Sequence, residues 1–281
     1  MIQTVCVCGA GTMGSGIAQA VAQSGIDTVL FDVNEDVLRR AESNIRNNLN
    51  TLISKQKLLA NDAEAVWQHL QFSSSINACR ANLIIEAIVE NKEAKVALFQ
   101  QLSKSTEADT IFASNTSSLS ITHLQQEISN PERVAGLHFF NPATIMKLVE
   151  VVKGELTEDT VIQQLKQFCR RLNKTAVVCK DAPGFIVNRV ARPYYIEALR
   201  LAEEGMADYS TIDTVMESCG FKMGPFRLMD LIGNDVNYAV SCSVYEQLGK
   251  PDRLKPSVLQ EEKVQSGRLG RKTGEGYYLY K

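Results

Sequence analysis

The sequence predicts an α/β protein, with a doubly wound, mostly parallel sheet followed by an all-α C-terminal domain. Three observations carry this. Short apolar, β-branched runs alternate with amphipathic helical stretches through the first two thirds of the chain, the pattern of parallel strands joined by crossover helices. The first run, residues 2–8, breaks into Gly9, Gly11 and Gly14 at G-x-G-x-x-G spacing, and a helical pattern follows over 13–23. The alternation stops at Asp181, Ala182, Pro183 and Gly184, beyond which the pattern is helical. Domains are therefore expected at 1–183 and 184–281.

Taken in order, the strand over 2–8 and its glycines lead into a second strand over 28–31 that ends in Asp32. Gly9 permits a tight turn, Gly11 leaves room beside the backbone, and Gly14 lets helix and strand pack closely. Exposed amides at the helix start then suit a phosphate. An acid at the position of Asp32 accepts hydrogen bonds from an adenosine ribose and repels a 2′-phosphate. Together these form a Rossmann-like dinucleotide fingerprint. It predicts NAD, not NADP, held by Gly9, Ala10, Gly11, Thr12, Met13, Gly14 and Asp32.

Residues 35–70 read as one or two long polar helices, with Leu38, Ala41, Ile45, Leu49, Leu52 and Ile53 as their apolar stripe. Such a helical arm is longer than a crossover needs. Lys55 and Lys57 near its turn suit a phosphate, and a solvated helix surface fits the same pattern. Further strands are expected at 83–88, 110–113, 134–139, 147–152 and 175–179, with helices at 92–102 and 158–172. The helical domain is expected to hold helices at 186–204, 209–219, 234–248 and 257–266.

Composition narrows the function classes. A net charge of −2, with 44% hydrophobic and 22% charged residues, is that of an ordinary globular enzyme. It shows no basic excess for nucleic acid, and no apolar run has the length of a membrane span. Met1 running directly into a strand is expected to leave no targeting peptide, which together with seven scattered cysteines points to a reducing, cytoplasmic setting. Cys6 and Cys8 should share one face of the first strand as buried thiols. The three histidines, His69, His123 and His138, are far apart in sequence, so no metal is expected.

In a doubly wound sheet, ligand residues collect beyond the carboxyl ends of the strands. Glu86 and Glu90, residues 114–118, and His138 with Asn141 fall at such ends. Glu150 follows on the next expected strand, where it could meet His138. A carboxylate beside an imidazole stabilises the charged ring and fixes its tautomer, as a general acid or base needs. A structural histidine bonded to a backbone carbonyl fits equally. Ser117 reads as a holder of a substrate oxygen or as a loop cap. Asn188, beside Arg189 at the start of the helical domain, could donate to a carbonyl oxygen as charge develops on it.

Six motifs together resemble the L-3-hydroxyacyl-CoA dehydrogenase family. They are Gly9-Ala10-Gly11-Thr12-Met13-Gly14, Glu86-Ala87-Ile88-Val89-Glu90, Ser114-Asn115-Thr116-Ser117-Ser118, His138-Phe139-Phe140-Asn141-Pro142, Lys147-Leu148-Val149-Glu150-Val151, and the run from Asp181 through Phe185 to Asn188 and Arg189. The likeness continues through Met223, Gly224, Pro225, Phe226 and Asp230 to the closing Lys272-Thr273-Gly274-Glu275-Gly276-Tyr277-Tyr278. It implies NAD-dependent, reversible oxidation of an (S)-3-hydroxyacyl-CoA, 3-hydroxybutyryl-CoA foremost.

The resemblance also implies roles. His138 would be the general base paired with Glu150, while Ser117 and Asn188 would hold the substrate's oxygens. Glu90, Lys95, Asn141 and Lys272 would attend the nicotinamide half with Ser117, and Lys55 a coenzyme A phosphate. Asn48 stands where some relatives have a serine touching coenzyme A. Thr144 and Ile145 replace the more usual proline and valine at the pocket wall. A homodimer through the helical domain is implied as well. The alternatives are a 3-hydroxyadipyl-CoA dehydrogenase, a dehydrogenase of free β-hydroxy acids, and a non-catalytic NAD-binding protein. The free-acid enzymes would carry a lysine where this chain has Asn188.

Overall fold

The computed structural model describes residues 2–280, and the chain divides into two compact units, Met1–Asp181 and Ala182–Lys281. The first unit opens with β1 (Thr4–Cys8), α1 (Thr12–Ala22) and β2 (Asp27–Phe31). Then come α2 (Glu35–Ser54), α3 (Ala60–Gln68), β3 (Leu70–Ser73), β4 (Leu83–Glu86), α4 (Lys92–Ser103) and β5 (Ile111–Ser114). It closes with α5 (Ile121–Gln125), β6 (Val134–Phe139), β7 (Leu148–Lys153), α6 (Asp159–Arg171) and β8 (Thr175–Lys180).

The eight strands form one sheet in the order β3-β2-β1-β4-β5-β6-β7-β8. From β1 the chain winds first toward β3 and then returns to β4 and runs the other way. The order reverses between β1 and β4, and such a switch point opens a ligand crevice beyond the strand ends. Central strands β4, β5 and β6 are buried at every residue, as strands covered by helices on both faces must be. Ile17, Val21, Leu30, Ile85 and Leu165 belong to the main core.

Several details differ from expectation. Residues 35–70 are not all helical, because Leu70 begins β3, which pairs in parallel with β2. Its four residues, Leu70, Gln71, Phe72 and Ser73, are none of them fully buried and carry no apolar run, so no strand pattern registers. The strand expected at 83–88 ends at Glu86, whose carboxylate takes the Ile88 amide out of the ladder at 2.7 Å. The alternation of strand and helix also fails where β7 follows β6 directly and runs antiparallel to it. The link between them, residues 140–147, is shorter than a parallel crossover requires. Helix α5 was not foreseen.

The second unit consists of α7 (Val187–Glu203), α8 (Tyr209–Ser218), α9 (Pro225–Ile232), α10 (Asn234–Gln247) and α11 (Val258–Gln265). Helix α9, also not foreseen, starts with proline at its first position, where the missing amide costs nothing. Its side chains Phe226 and Met229 enter a core with Tyr195, Leu199, Ile212 and Tyr277.

Candidate active site

The turn after β1 is shaped by contacts that exclude side chains. Gly9 has φ +102°, and a Cβ there would stand 2.6 Å from the Ala87 carbonyl oxygen. At Gly14 a Cβ would meet the Gly9 carbonyl oxygen at 1.7 Å. At Gly11, by contrast, a Cβ would meet nothing within 4 Å. Gly11 is also the N-cap of α1 and offers no capping side chain, so the first-turn amides are left for an anion. A pyrophosphate fits this turn on both counts.

Asp32 closes the turn from the next strand. Its Oδ2 accepts the Ala10 amide at 2.8 Å and its Oδ1 the Asn34 amide at 2.9 Å. Both oxygens are thereby oriented, and each retains a lone pair for a ribose hydroxyl. Ala10, Gly11, Thr12, Met13 and Gly14 thus form one preorganised unit with Gly9 and Asp32.

The β6–β7 ladder places His138 directly opposite Glu150. Directly opposed residues share one face of the sheet, and here His138 Nδ1 lies 2.8 Å from Glu150 Oε2. Both residues are buried, Glu150 completely. The Phe140 ring leans on the imidazole at 4.5 Å between centroids. The strand end is fixed by Asn115, whose Oδ1 accepts the Phe139 amide at 2.9 Å. Asn141 follows through a cis peptide to Pro142 and is exposed. Behind that turn the buried Lys174 donates to the carbonyls of Ala143 and Met146 at 2.6 and 2.7 Å.

Beyond β4 and β5 lies a charge cluster. Lys95 is 1% exposed and its ammonium bonds both Glu86 Oε1 and Glu90 Oε2. Glu86 also accepts from Ser114 Oγ at 2.6 Å. Glu90 accepts from the Thr116 hydroxyl, the Ser117 amide at 3.2 Å and Ser118 Oγ at 2.9 Å. Burial raises the Glu86 carboxyl above its ordinary value, and Lys95 with the hydrogen bonds offsets only part of this. For Glu90, burial pushes the same way, but Lys95, Thr116 and Ser118 outweigh it and hold the carboxyl low. The loop bearing Ser117 is thus tied to Lys95 through Glu90.

The helical arm contributes a groove of about 270 Å³ lined by Ser15, Gln19, Asn44, Asn48, Asn141 and Thr144, among others. Asn48 Nδ2 donates to Gln19 Oε1 at 3.4 Å, while Lys55, the C-cap of α2, is exposed. Asn188 and Lys272 belong to the second unit. Asn188 is in the first turn of α7, and the Lys272 ammonium bonds Asp235 at 2.6 and 2.7 Å.

Among the described residues, one group could offer three ligands to a metal: Cys6, Cys8 and Cys79, all buried, with sulfurs within 4.8 Å of one another. A structural zinc site takes four. No described helix is long and apolar enough to cross a membrane.

Glu86, Asn115 and Lys174 are supporting residues absent from the set expected from sequence. Glu86 stood among the polar residues at strand ends, but only the nine-residue return of α4 reveals the lysine it holds.

Comparison with known proteins finds relatives along nearly the whole chain. The 3-hydroxyacyl-CoA dehydrogenase NAD binding domain family matches residues 4–182, and that family's C-terminal domain matches 184–280. The chain is 48% identical over 279 residues to a 3-hydroxyadipyl-CoA dehydrogenase of Escherichia coli, covering 99% of this chain and 59% of that protein. It therefore spans about three fifths of that relative's length. It is also 43% identical to the mitochondrial hydroxyacyl-coenzyme A dehydrogenase of Mus musculus, covering 100% of this chain and 92% of that one. An (S)-3-hydroxybutyryl-CoA dehydrogenase structure from Ralstonia eutropha superposes with TM-score 0.95 at 37% identity, each chain covered in full. The chain belongs to the 3-hydroxyacyl-CoA dehydrogenase family, a family of NAD-dependent oxidoreductases, with both of the family's domains in order along its length.

Proposed function

We propose that the chain catalyses the reversible, NAD-dependent oxidation of (S)-3-hydroxyacyl-CoA thioesters to 3-oxoacyl-CoA, with 3-hydroxybutyryl-CoA as the first substrate to try. The buried His138–Glu150 pair, in the same unit as the dinucleotide turn, is the observation that carries this reading. The 3-hydroxyadipyl thioester, named in the Escherichia coli relative, is the second acyl group within the reading.

The chemistry assigned to the side chains follows from their bonding. Glu150 holds His138 at Nδ1, so proton exchange with the substrate is assigned to Nε2. In the oxidation direction Nε2 takes the proton of the 3-hydroxyl as the C–O bond becomes a carbonyl, and Glu150 stabilises the charged ring that results. A bound NAD would supply the hydride acceptor that this oxidation at C3 needs. Ser117 and Asn188 are assigned to the substrate's oxygens, where a donor stabilises charge that develops on the C3 oxygen in the reverse reduction.

Asp32 is assigned to the adenosine ribose and the Gly9–Gly14 turn to the pyrophosphate. Glu90, Asn141 and Lys272 are assigned to the nicotinamide half, with Lys95 holding Glu90 in place. The amide-lined groove beside Asn48 suits the pantetheine amides, and the exposed Lys55 a coenzyme A phosphate. Exposed apolar residues on the second unit, including Val190, Leu231 and Val236, support a homodimer through that unit. Seven cysteines without a disulfide among them support a cytoplasmic setting.

The test is NADH consumption with acetoacetyl-CoA, run beside NADPH and beside free acetoacetate. Turnover with the thioester and NADH alone is the expected result. Turnover of the free acid would remove the thioester from the reading, and NADH binding without turnover of any acyl thioester would make the chain a binding protein. Replacing His138 by Asn is expected to lower turnover by about 10²–10⁴-fold with NADH binding kept.

A further inference from the structure

Among the described residues, the second unit contains a buried cation that no carboxylate pairs. Arg192 on α7 is 2% exposed. Its Nε donates to the Asn188 carbonyl at 3.0 Å, and its Nη1 donates to the Asn237 carbonyl and to Ser241 Oγ, each at 2.9 Å. Every acceptor is neutral, and none of these bonds uses Nη2. The unit's ion pairs go to Arg200, Arg227, Lys250, Arg268 and Lys272 instead. Burial without a counter-charge lowers the guanidinium to about 10, which leaves it charged at neutral pH.

A second donor is orphaned in the same place. Asn237 Nδ2 is buried with no hydrogen-bond partner. The amide's orientation is determined, because its oxygen accepts from Gln260 Nε2 at 3.1 Å and lies 3.5 Å from Arg192 Nη1. Buried donors are nearly always satisfied, and buried charges nearly always paired. A water would satisfy the amide but leave the charge. A carboxylate, with two acceptor oxygens and a negative charge, would answer both.

We infer that Arg192 and Asn237 receive a carboxylate at the far end of the acyl chain, so that the substrate class is the CoA thioester of a 3-hydroxy dicarboxylic acid. This rests on the dehydrogenase reading and on the role given there to Asn188. Residues 188 and 192 lie one helical turn apart, about 5–6 Å between side-chain origins, and the Nε bond draws the guanidinium back toward that first turn. A few methylenes cover such a span. An acyl group held at C3 by Asn188 would therefore bring a carboxylate, rather than a methyl, to the guanidinium.

The experiment compares kcat/KM for (S)-3-hydroxyadipyl-CoA with that for (S)-3-hydroxyhexanoyl-CoA, which has the same chain length without the carboxylate. The wild-type ratio is expected to favour the diacid by about 10-fold or more, as the loss of a charged hydrogen-bond partner would predict. Asn237→Asp supplies a carboxylate from within the chain at nearly unchanged shape, and Arg192→Met removes the charge. Both are expected to bring the ratio down to about one, with NADH binding retained as the check on folding. Equal wild-type rates, or a diacid preference that neither variant alters, would overturn the inference while leaving the dehydrogenase reading intact. Turnover of neither thioester would overturn both.

Discussion

Two fully buried cations, one in each unit, differ in how the chain treats them. Lys95 is met by two carboxylates, themselves held by Ser114, Thr116 and Ser118 and by the Ile88 amide. Among the described residues, Arg192 is met only by carbonyls, a hydroxyl and an aromatic ring 4.9 Å away. Burying a charge costs several kcal/mol unless it is paired. In the first unit that cost is offset within the chain, and the result is a scaffold under the loops that carry Glu90 and Ser117. In the second unit it is left standing, which is tolerable where a ligand completes the pair.

The contrast can be broken most directly by deleting each cation. Lys95→Met leaves Glu86 and Glu90 facing each other without a counter-ion, and a loss of about 3–5 kcal/mol in urea denaturation is expected. Arg192→Met, which removes an uncompensated charge, is expected to change stability by less than about 1 kcal/mol or to raise it. Equal losses at the two positions would end the comparison.

A third buried group, His138, sharpens it further, because it too is met by a carboxylate within the chain, that of Glu150 at 2.8 Å. Glu150→Gln is expected to lower turnover by about 10²-fold. Turnover unchanged in the variant would remove Glu150 from the pair.

The smallest effect concerns acid stability. Glu86, with its carboxyl raised in the folded protein, takes up a proton before the unfolded chain does. Stability should therefore rise as pH falls from that raised value toward the ordinary carboxylate range. Glu90, held low, works the other way, and its contribution is lost below the ordinary range as pH falls through its depressed value. Glu86→Gln should abolish the rise and keep the loss, as denaturation at a series of pH values would show.

What was legible in the sequence was local. The glycines around Gly11, the acid at Asp32 and the alternation of strand and helix each depend on residues close together in the chain. Turn sterics and hydrophobic period fix them before any long-range contact forms. His138 and Glu150 could be read as candidates at strand ends.

The tertiary structure decided what depends on pairing. The antiparallel register of β6 and β7 sets His138 opposite Glu150, and a shift of one residue would turn one of the two to the other face of the sheet. The short strand β3, the return of α4 that brings Lys95 to Glu86, and the packing of α7 on α10 that leaves Arg192 without an acid are likewise invisible to period or motif. A buried charge is read by what surrounds it, and its surroundings come from residues far away in the sequence.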